Sequence, residues 1–392
     1  MLKKRIQRFI LILVIIFLVA FPKGGFKISN IPLTWGYMLI LLSVPFGFIN
    51  LLNQNKYVHF PRPRRNILLL CLPFVIYSSI ILAFGTFTNL GFLFSYILSL
   101  LLMPFLFMFF FGGYIDMPNF NKLFTKYFIF SLRFVTIFGL ILFLQKLFLG
   151  SSLEIPYLTV NIDDLGMLDE KYNMRGDIMK YTSTYNNGNI FGVCMLILAP
   201  IYFSNEKNVL FKIIFIISLA LTLSRTVWFG MVFLGIMFII KNIKNTKGVI
   251  ILTVSVISIV VFLPMLLSLI GVDVGFLFDK NLGGRVNQLN VFSDISLFGD
   301  GHYDGIAEIV YTSILQHFGA IGLILFLVYI FSPLIVLYVK GRKKQDTYHW
   351  GLILYPVICL SDGAMLFIPT MAFFWFLASY TFRKTENDLA IN

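Results

Sequence analysis

Apolar segments near the length of a bilayer crossing, about 20 residues, follow one another along nearly the whole chain, and most of the charge lies in the connectors between them. A chain built this way cannot hide its apolar surface in one soluble core. Only 12% of its 392 residues are charged, against about 25% in soluble domains, so the missing polar surface has to face lipid. The segments run roughly 8–22, 32–52, 66–84, 90–111, 124–149, 188–204, 208–224, 226–240, 249–271, 309–339, 349–361 and 363–382. They predict an all-α polytopic membrane protein of about twelve spans. Ser361-Asp362-Gly363 interrupts the last pair, so one long span there is an alternative. The start, MLKKRIQR followed by an apolar run from Phe9 to Phe21, has the shape of a signal peptide without a small-x-small cleavage site, and is expected to be the first span.

Basic residues test this count through the positive-inside rule. With a cytoplasmic N-terminus, 21 of the 31 Lys and Arg residues fall in the inner connectors, and the alternation never breaks. Both termini are then expected in the cytoplasm, with the chain in the cytoplasmic (inner) membrane. The acids do the reverse: 12 of 18 lie in the stretches 150–187 and 272–308, two outer loops far longer than a connector needs. Long connections in compact folds are functional or disordered, and the Gly, Tyr and apolar content of these favours function. The expected organisation is one transmembrane domain over 1–392 carrying those two loops. The net charge of +13 sits in short runs that orient spans, which argues against nucleic acid as a partner.

Cys71, Cys194 and Cys359 each lie inside an apolar stretch, and none pairs at metal or redox spacing. His59, His302, His317 and His349 are scattered, and no HExxH, Walker or GxGxxG pattern occurs. No metal and no cofactor are therefore expected. Three arginines stand out on the outer side: Arg175 before the sixth span, Arg225 at the turn of the 208–240 hairpin, and Arg285 in the second long loop. An arginine at a bilayer boundary is paired, snorkelling or functional. These either pair with local carboxylates such as Asp177 or Asp279, or converge on a multiply charged anion, for which guanidinium is suited. Arg133, nearer the cytoplasmic end of its span, is expected to snorkel.

A second group, Asp300, His302, Asp304 and Glu308, falls within nine residues of a glycine-rich loop entering span ten. It could supply a general base, with Glu308 and His302 the candidates; Glu308 could equally be first-turn helix charge. Asn187, in Tyr185-Asn186-Asn187-Gly188-Asn189, either caps span six or hydrogen-bonds sugar hydroxyls.

These pieces resemble the O-antigen polymerase and ligase superfamily, specifically the Wzy-type polysaccharide polymerases. The likeness rests on Arg175 to Gly192, on Leu223-Ser224-Arg225-Thr226 at a hairpin tip, on Gly284-Arg285, and on Gly299-x-Gly301 followed by Tyr311-x3-Leu315-x3-Gly319-x2-Gly322-Leu323. Each motif is short, but they occur in order and share an outer placement, and the layout of two long loops and about twelve spans covers nearly the whole chain. Related ligases carry a His where this chain has Glu308, which counts against a ligase.

The resemblance implies a membrane glycosyltransferase of GT-C-like architecture. It would join undecaprenyl pyrophosphate-linked oligosaccharide repeats into O-antigen or capsular polysaccharide on the outer face, among membrane lipids, alongside a chain-length regulator and a flippase. Arg175, Arg225, Arg285, Asn187 and Tyr311 would hold pyrophosphate or sugar, and Glu308 or His302 would activate the acceptor hydroxyl. The alternatives are a ligase-type transferase and a polysaccharide or lipid transporter. Transporters place ionisable groups near the midplane, whereas this chain places them outside.

Overall fold

The computed structural model describes residues 2–28, 31–53, 61–87, 90–116, 120–169, 173–175, 178–241, 285–303, 307–339, 347–367 and 369–383, with positions 250, 265 and 268. The predicted span at 249–271 lies outside the described residues, as do Gly284, Glu170, Asp177, Asp273, Asp279 and Asp304. The helices are α1 (Leu2–Val19), α2 (Trp35–Asn53), α3 (Arg62–Phe84), α4 (Leu90–Phe110), α5 (Phe120–Leu149), α6 (Gly188–Asn205), α7 (Val209–Ala220), α8 (Arg225–Lys241), α9 (Val310–Val339), α10 (Trp350–Ile358) and α11 (Thr370–Thr381). Of these, α3, α4, α5, α6 and α9 are long and apolar enough to cross a bilayer, which makes this a helical, membrane-embedded chain. The 349–382 region is two helices rather than one long span, because α10 ends at Ile358 and α11 begins only at Thr370.

Contacts between connectors form two separate groups. At one end, here the loop face, the short antiparallel pair β1 (Gly25–Ile28) and β2 (Ile31–Thr34) meets the first long loop through Lys27 Nζ to Asp164 Oδ1 at 3.3 Å and Trp35 Nε1 to the Tyr157 carbonyl at 2.5 Å. There too, β3 (Thr86–Phe87) pairs in parallel with β6 (His302–Tyr303). At the opposite end, the Arg64 side chain is buried, donates to both oxygens of Asp116 at 2.7 and 2.9 Å, and also reaches the carbonyls of Gly112 and Ser379. Arg133 reaches out of α5 to the α6–α7 connector. It forks onto Glu206 at 2.7 Å through two nitrogens and lies over the Phe211 ring, because the α6–α7 connector folds that carboxylate back under α5.

The central helix is α6, buried over most of its length. Lipid gives helices no hydrophobic reason to associate, so close backbone approach through small residues matters more. Gly192 leaves just the room that Val227 of α8 fills, and Gly351 of α10 sits on the Ile197 carbonyl; a Cβ at either would come within 2.1 and 2.4 Å of those neighbours.

Helix α9 is broken at Gly319 (φ 68°, ψ −174°). Every freed backbone group named next has a partner, which a break at membrane depth requires. Asp300 N donates to the Gln316 carbonyl at 3.0 Å, Tyr303 OH to His317 at 3.2 Å and Tyr77 OH to Phe318 at 2.9 Å. In return, Ala320 N and Ile321 N donate to the carbonyls of Ser296 and Leu297. The 296–303 loop is thereby laced onto the break, with Gly299 against the His317 carbonyl and Gly319 against that of Leu297. Gly319→Ala would set a Cβ 2.2 Å from the Leu297 oxygen and force a left-handed non-glycine residue, costing about 1–3 kcal/mol from the backbone alone. A lower melting temperature in detergent is expected; an unchanged one would show that the lacing is dispensable.

Candidate functional site

Four segments of the loop face converge. The first long loop ends in a tight hairpin, β4 (Met174–Arg175) against β5 (Ile178–Met179), which carries Arg175 and leads into Lys180. Its backbone is tied to the rest by Lys180 N to the Asn173 carbonyl (2.7 Å) and Tyr181 N to the Leu221 carbonyl (2.9 Å). The α7–α8 turn carries Arg225. A 3-10 helix, Arg285–Ser293, begins with Arg285. The α10–α11 strap carries Asp362, with Gly363 N bonded to the Glu308 carbonyl at 3.1 Å and Val310 N to the Cys359 carbonyl at 3.1 Å. Glu308 and Asp362, distant in sequence, are thus fixed through their main chains.

Arg285 lies between the two acids. Its Nε is 2.5 Å from Glu308 Oε2, an ion pair by proximity whose N–H does not point along the contact, and its Nη2 donates to Asp362 Oδ2 at 3.4 Å. The same Asp362 oxygen accepts Asn189 Nδ2 at 2.8 Å. The Glu308 side chain is 46% exposed and the Asp362 side chain 8%: the first can meet a substrate, the second holds the arginine from behind. Burial pushes the Asp362 carboxyl up to about 6, the Glu308 charge adding to it and Arg285 and Asn189 opposing. Lys180 packs over Gly188. Burial draws its ammonium down to about 8, with the Arg175 charge adding and Asp362 and Glu308 opposing. Arg175, Lys180, Arg285, Glu308 and Asp362 therefore share one electrostatic site.

Arg175 Nε donates to the Leu223 carbonyl at 3.5 Å, which joins the hairpin to the Arg225 turn. Arg225 is half-buried, and its Nη1 is buried without a hydrogen-bond partner among the described residues. Its neighbour Thr226 touches Ser361, beside Asp362, at 2.8 Å. Of the five described non-glycine residues with left-handed φ, Ser183, Asn186, Leu223 and Ala364 lie in these segments. Such conformations cost about 1–3 kcal/mol each and persist where surrounding structure fixes them, so backbone strain is concentrated where the polar side chains are aimed.

The sequence candidates separate on this geometry. Arg175, Arg285 and Glu308 come together, and Arg225 lies on the adjoining turn, two residues from Leu223. His302 stands elsewhere on the loop face, exposed, with Nδ1 2.9 Å from Thr86 Oγ1. Asn187 caps α6, its Oδ1 accepting from Asn189 N and Ile190 N at 2.8 and 3.2 Å. The Tyr311 hydroxyl donates to the Pro356 carbonyl at 2.7 Å. Asp362, Lys180 and Asn189 were not singled out from sequence. The signal for Asp362 was there, since an acid between two apolar segments is costly unless it has a task.

Away from the charges, a small apolar cavity of about 50 Å³ lies between α1, α4, α5 and α11, lined by Leu18, Val19, Phe111, Phe124, Phe373 and Phe376 among others. Its upper end is tied to the site loops by Tyr185 OH, which donates to the Val19 carbonyl at 2.9 Å. Among the described residues no group of His, Cys, Asp and Glu could hold a metal ion. No family model matches the chain, and neither a curated protein nor a solved structure gives a significant match.

Ionised Asp362 is less favourable in the fold than in water, because its folded value lies above the ordinary 3.8. Its contribution to stability is therefore full below the ordinary value and lost as pH rises through about 6. Asp362→Asn, neutral and nearly isosteric, is expected to raise the melting temperature at pH 7.5, with the gain vanishing toward pH 4. A fall at pH 7.5 would mean that the Arg285 pair outweighs the burial cost.

Proposed function

We propose that the chain is a membrane glycosyltransferase that polymerises lipid-linked oligosaccharide repeats, with the site around Arg285 as its reaction centre and the loop face as the outer face of the cytoplasmic membrane. The observation that carries this reading is the meeting of Arg175, Lys180 and Arg285 with one accessible carboxylate, Glu308, beside the turn that bears Arg225. A diphosphate leaving group is a weak base that needs its charge neutralised more than it needs a proton, and preorganised guanidinium groups supply that. The acceptor hydroxyl, with its high pKa, is the partner that needs a base.

In this mechanism the acceptor oxygen attacks the anomeric carbon of the donor glycan while the bond from that carbon to the pyrophosphate oxygen breaks. The hydroxyl proton passes to the Glu308 carboxylate. The electron pair leaves with the lipid pyrophosphate, held by Arg175, Arg225 and Lys180. Arg285, anchored by Asp362, keeps Glu308 aimed. The twelve-span, GT-C-like layout with both termini cytoplasmic belongs to the same proposal.

Arg175→Ala, Arg225→Ala and Arg285→Ala, each checked for membrane insertion, are expected to abolish polymer in a deletion strain and leave single repeats on the normal acceptor. Full-length polymer from all three would refute the arginine clamp. Activity of the wild type should fall below about pH 6, where Asp362 takes up a proton and loosens Arg285, and above about pH 8, where Lys180 loses its charge. Lys180→Arg, whose guanidinium stays protonated, should remove the basic limb of the pH–rate profile; an unchanged limb would exclude Lys180 from anion binding.

A further inference from the structure

The 3-10 helix Arg285–Ser293 turns once every three residues, so positions three apart share a face. Its three faces differ sharply. Arg285, Gln288 and Val291 point inward: Arg285 to the two carboxylates, and Gln288 through Oε1, which accepts the Ile309 N–H at 3.0 Å. Asn287, Asn290 and Ser293 form an exposed polar face. Val286, Leu289 and Phe292 form an exposed apolar one, 37%, 42% and 53% exposed. Beyond it, Ile295, Leu297 and Phe298 continue the exposed apolar surface at 55%, 62% and 59%. From Val286 to Phe298 the only charge is Asp294. An exposed apolar run this dense is costly in water.

The place of the run in the fold says what covers it. The carbonyls of Ser296 and Leu297 bond to Ala320 N and Ile321 N at the Gly319 break. The remainder of α9 is an apolar stretch that presents Ile324 and Leu327 outward. The neighbouring α3 presents Ile76, Ile80 and Phe84 outward, the last at 89%. The apolar side of the loop therefore continues the lipid-facing surface of two spans.

We propose that residues 286–298 lie in the bilayer as an interfacial segment, with Val286, Leu289, Phe292, Ile295, Leu297 and Phe298 among lipid chains and the Asn287–Asn290–Ser293 face at the headgroups. Amphipathic segments of this kind settle about 5–10 Å into the headgroup and acyl boundary. The consequence is positional: Arg285 and Gln288, on the third face of the same helix, are held at headgroup level beside Glu308. This goes beyond the proposed reaction and holds whether or not the chain is a transferase.

The test is spin-label accessibility in the full-length protein, reconstituted in phosphatidylcholine and phosphatidylglycerol nanodiscs. Labels are placed through Phe292→Cys, Leu297→Cys and, on the polar face, Asn290→Cys; the native Cys71, Cys194 and Cys359 are buried, and the unmodified chain gives the background. Labels at 292 and 297 should collide more with oxygen than with nickel-EDDA, with the order inverted at 290. Nickel-EDDA dominance at all three would place the loop in water. Protection from both probes at 292 and 297 would place it against protein. Either result overturns the proposal.

Discussion

One guanidinium serves two carboxylates, and the loop face is organised around that division. Arg285 binds Glu308 on one side and Asp362 on the other, and Asn189 steadies the second acid. The second long loop, which bears both Arg285 and Glu308, therefore meets the distant α10–α11 strap at one cation, and the head of α6 supplies the amide. With one arginine for two acids, the site keeps a buried carboxyl whose pKa lies well above the ordinary value. Lys180 pays the converse cost of burial beside Arg175. Groups held off their ordinary ionisation by burial and named neighbours are a common mark of functional sites, and stability alone gives no reason to keep them.

The scaffold that holds these charges is made of helices that approach closely and of one helix that stops. Gly192 and Gly351 let α8 and α10 press against α6, which carries Asn189 at its head. Gly319 interrupts α9, and the amides and carbonyls released there bind the 296–303 loop. That loop joins Arg285 to Glu308, so the break sets the spacing between the arginine and its exposed partner. The left-handed residues Leu223 and Ala364 do the same for the Arg225 turn and the Asp362 strap.

Much of this was legible in the sequence because it rests on one-dimensional signals. Bilayer-length apolar runs gave the helices, and the acid-rich stretches gave the two long loops that carry Arg175 and Arg285. The glycines at 299, 301 and 319 were visible as a motif. Their interlocking was not, because it depends on a loop returning to a break in the helix it precedes. Arg175, Arg225 and Arg285 were picked out for lying at a boundary, with local carboxylates or a multiply charged anion as the alternative partners. Asp362, 77 residues from Arg285, is the partner found, and no spacing rule reaches that far. Asn187 and Tyr311 carry residue types suited to sugars, yet their polar atoms bond an α6 amide pair and a backbone carbonyl, a commitment that only three-dimensional placement discloses.

The proposed function makes this a chain that does chemistry on the head of a lipid without moving the lipid across. Purified protein in proteoliposomes, supplied with a defined repeat unit on undecaprenyl pyrophosphate, separates these outcomes directly. The account predicts a ladder of glycans of increasing length, with one undecaprenyl pyrophosphate released for each new glycosidic bond. Passage of the lipid-linked unit across the bilayer with no new glycosidic bond would contradict it.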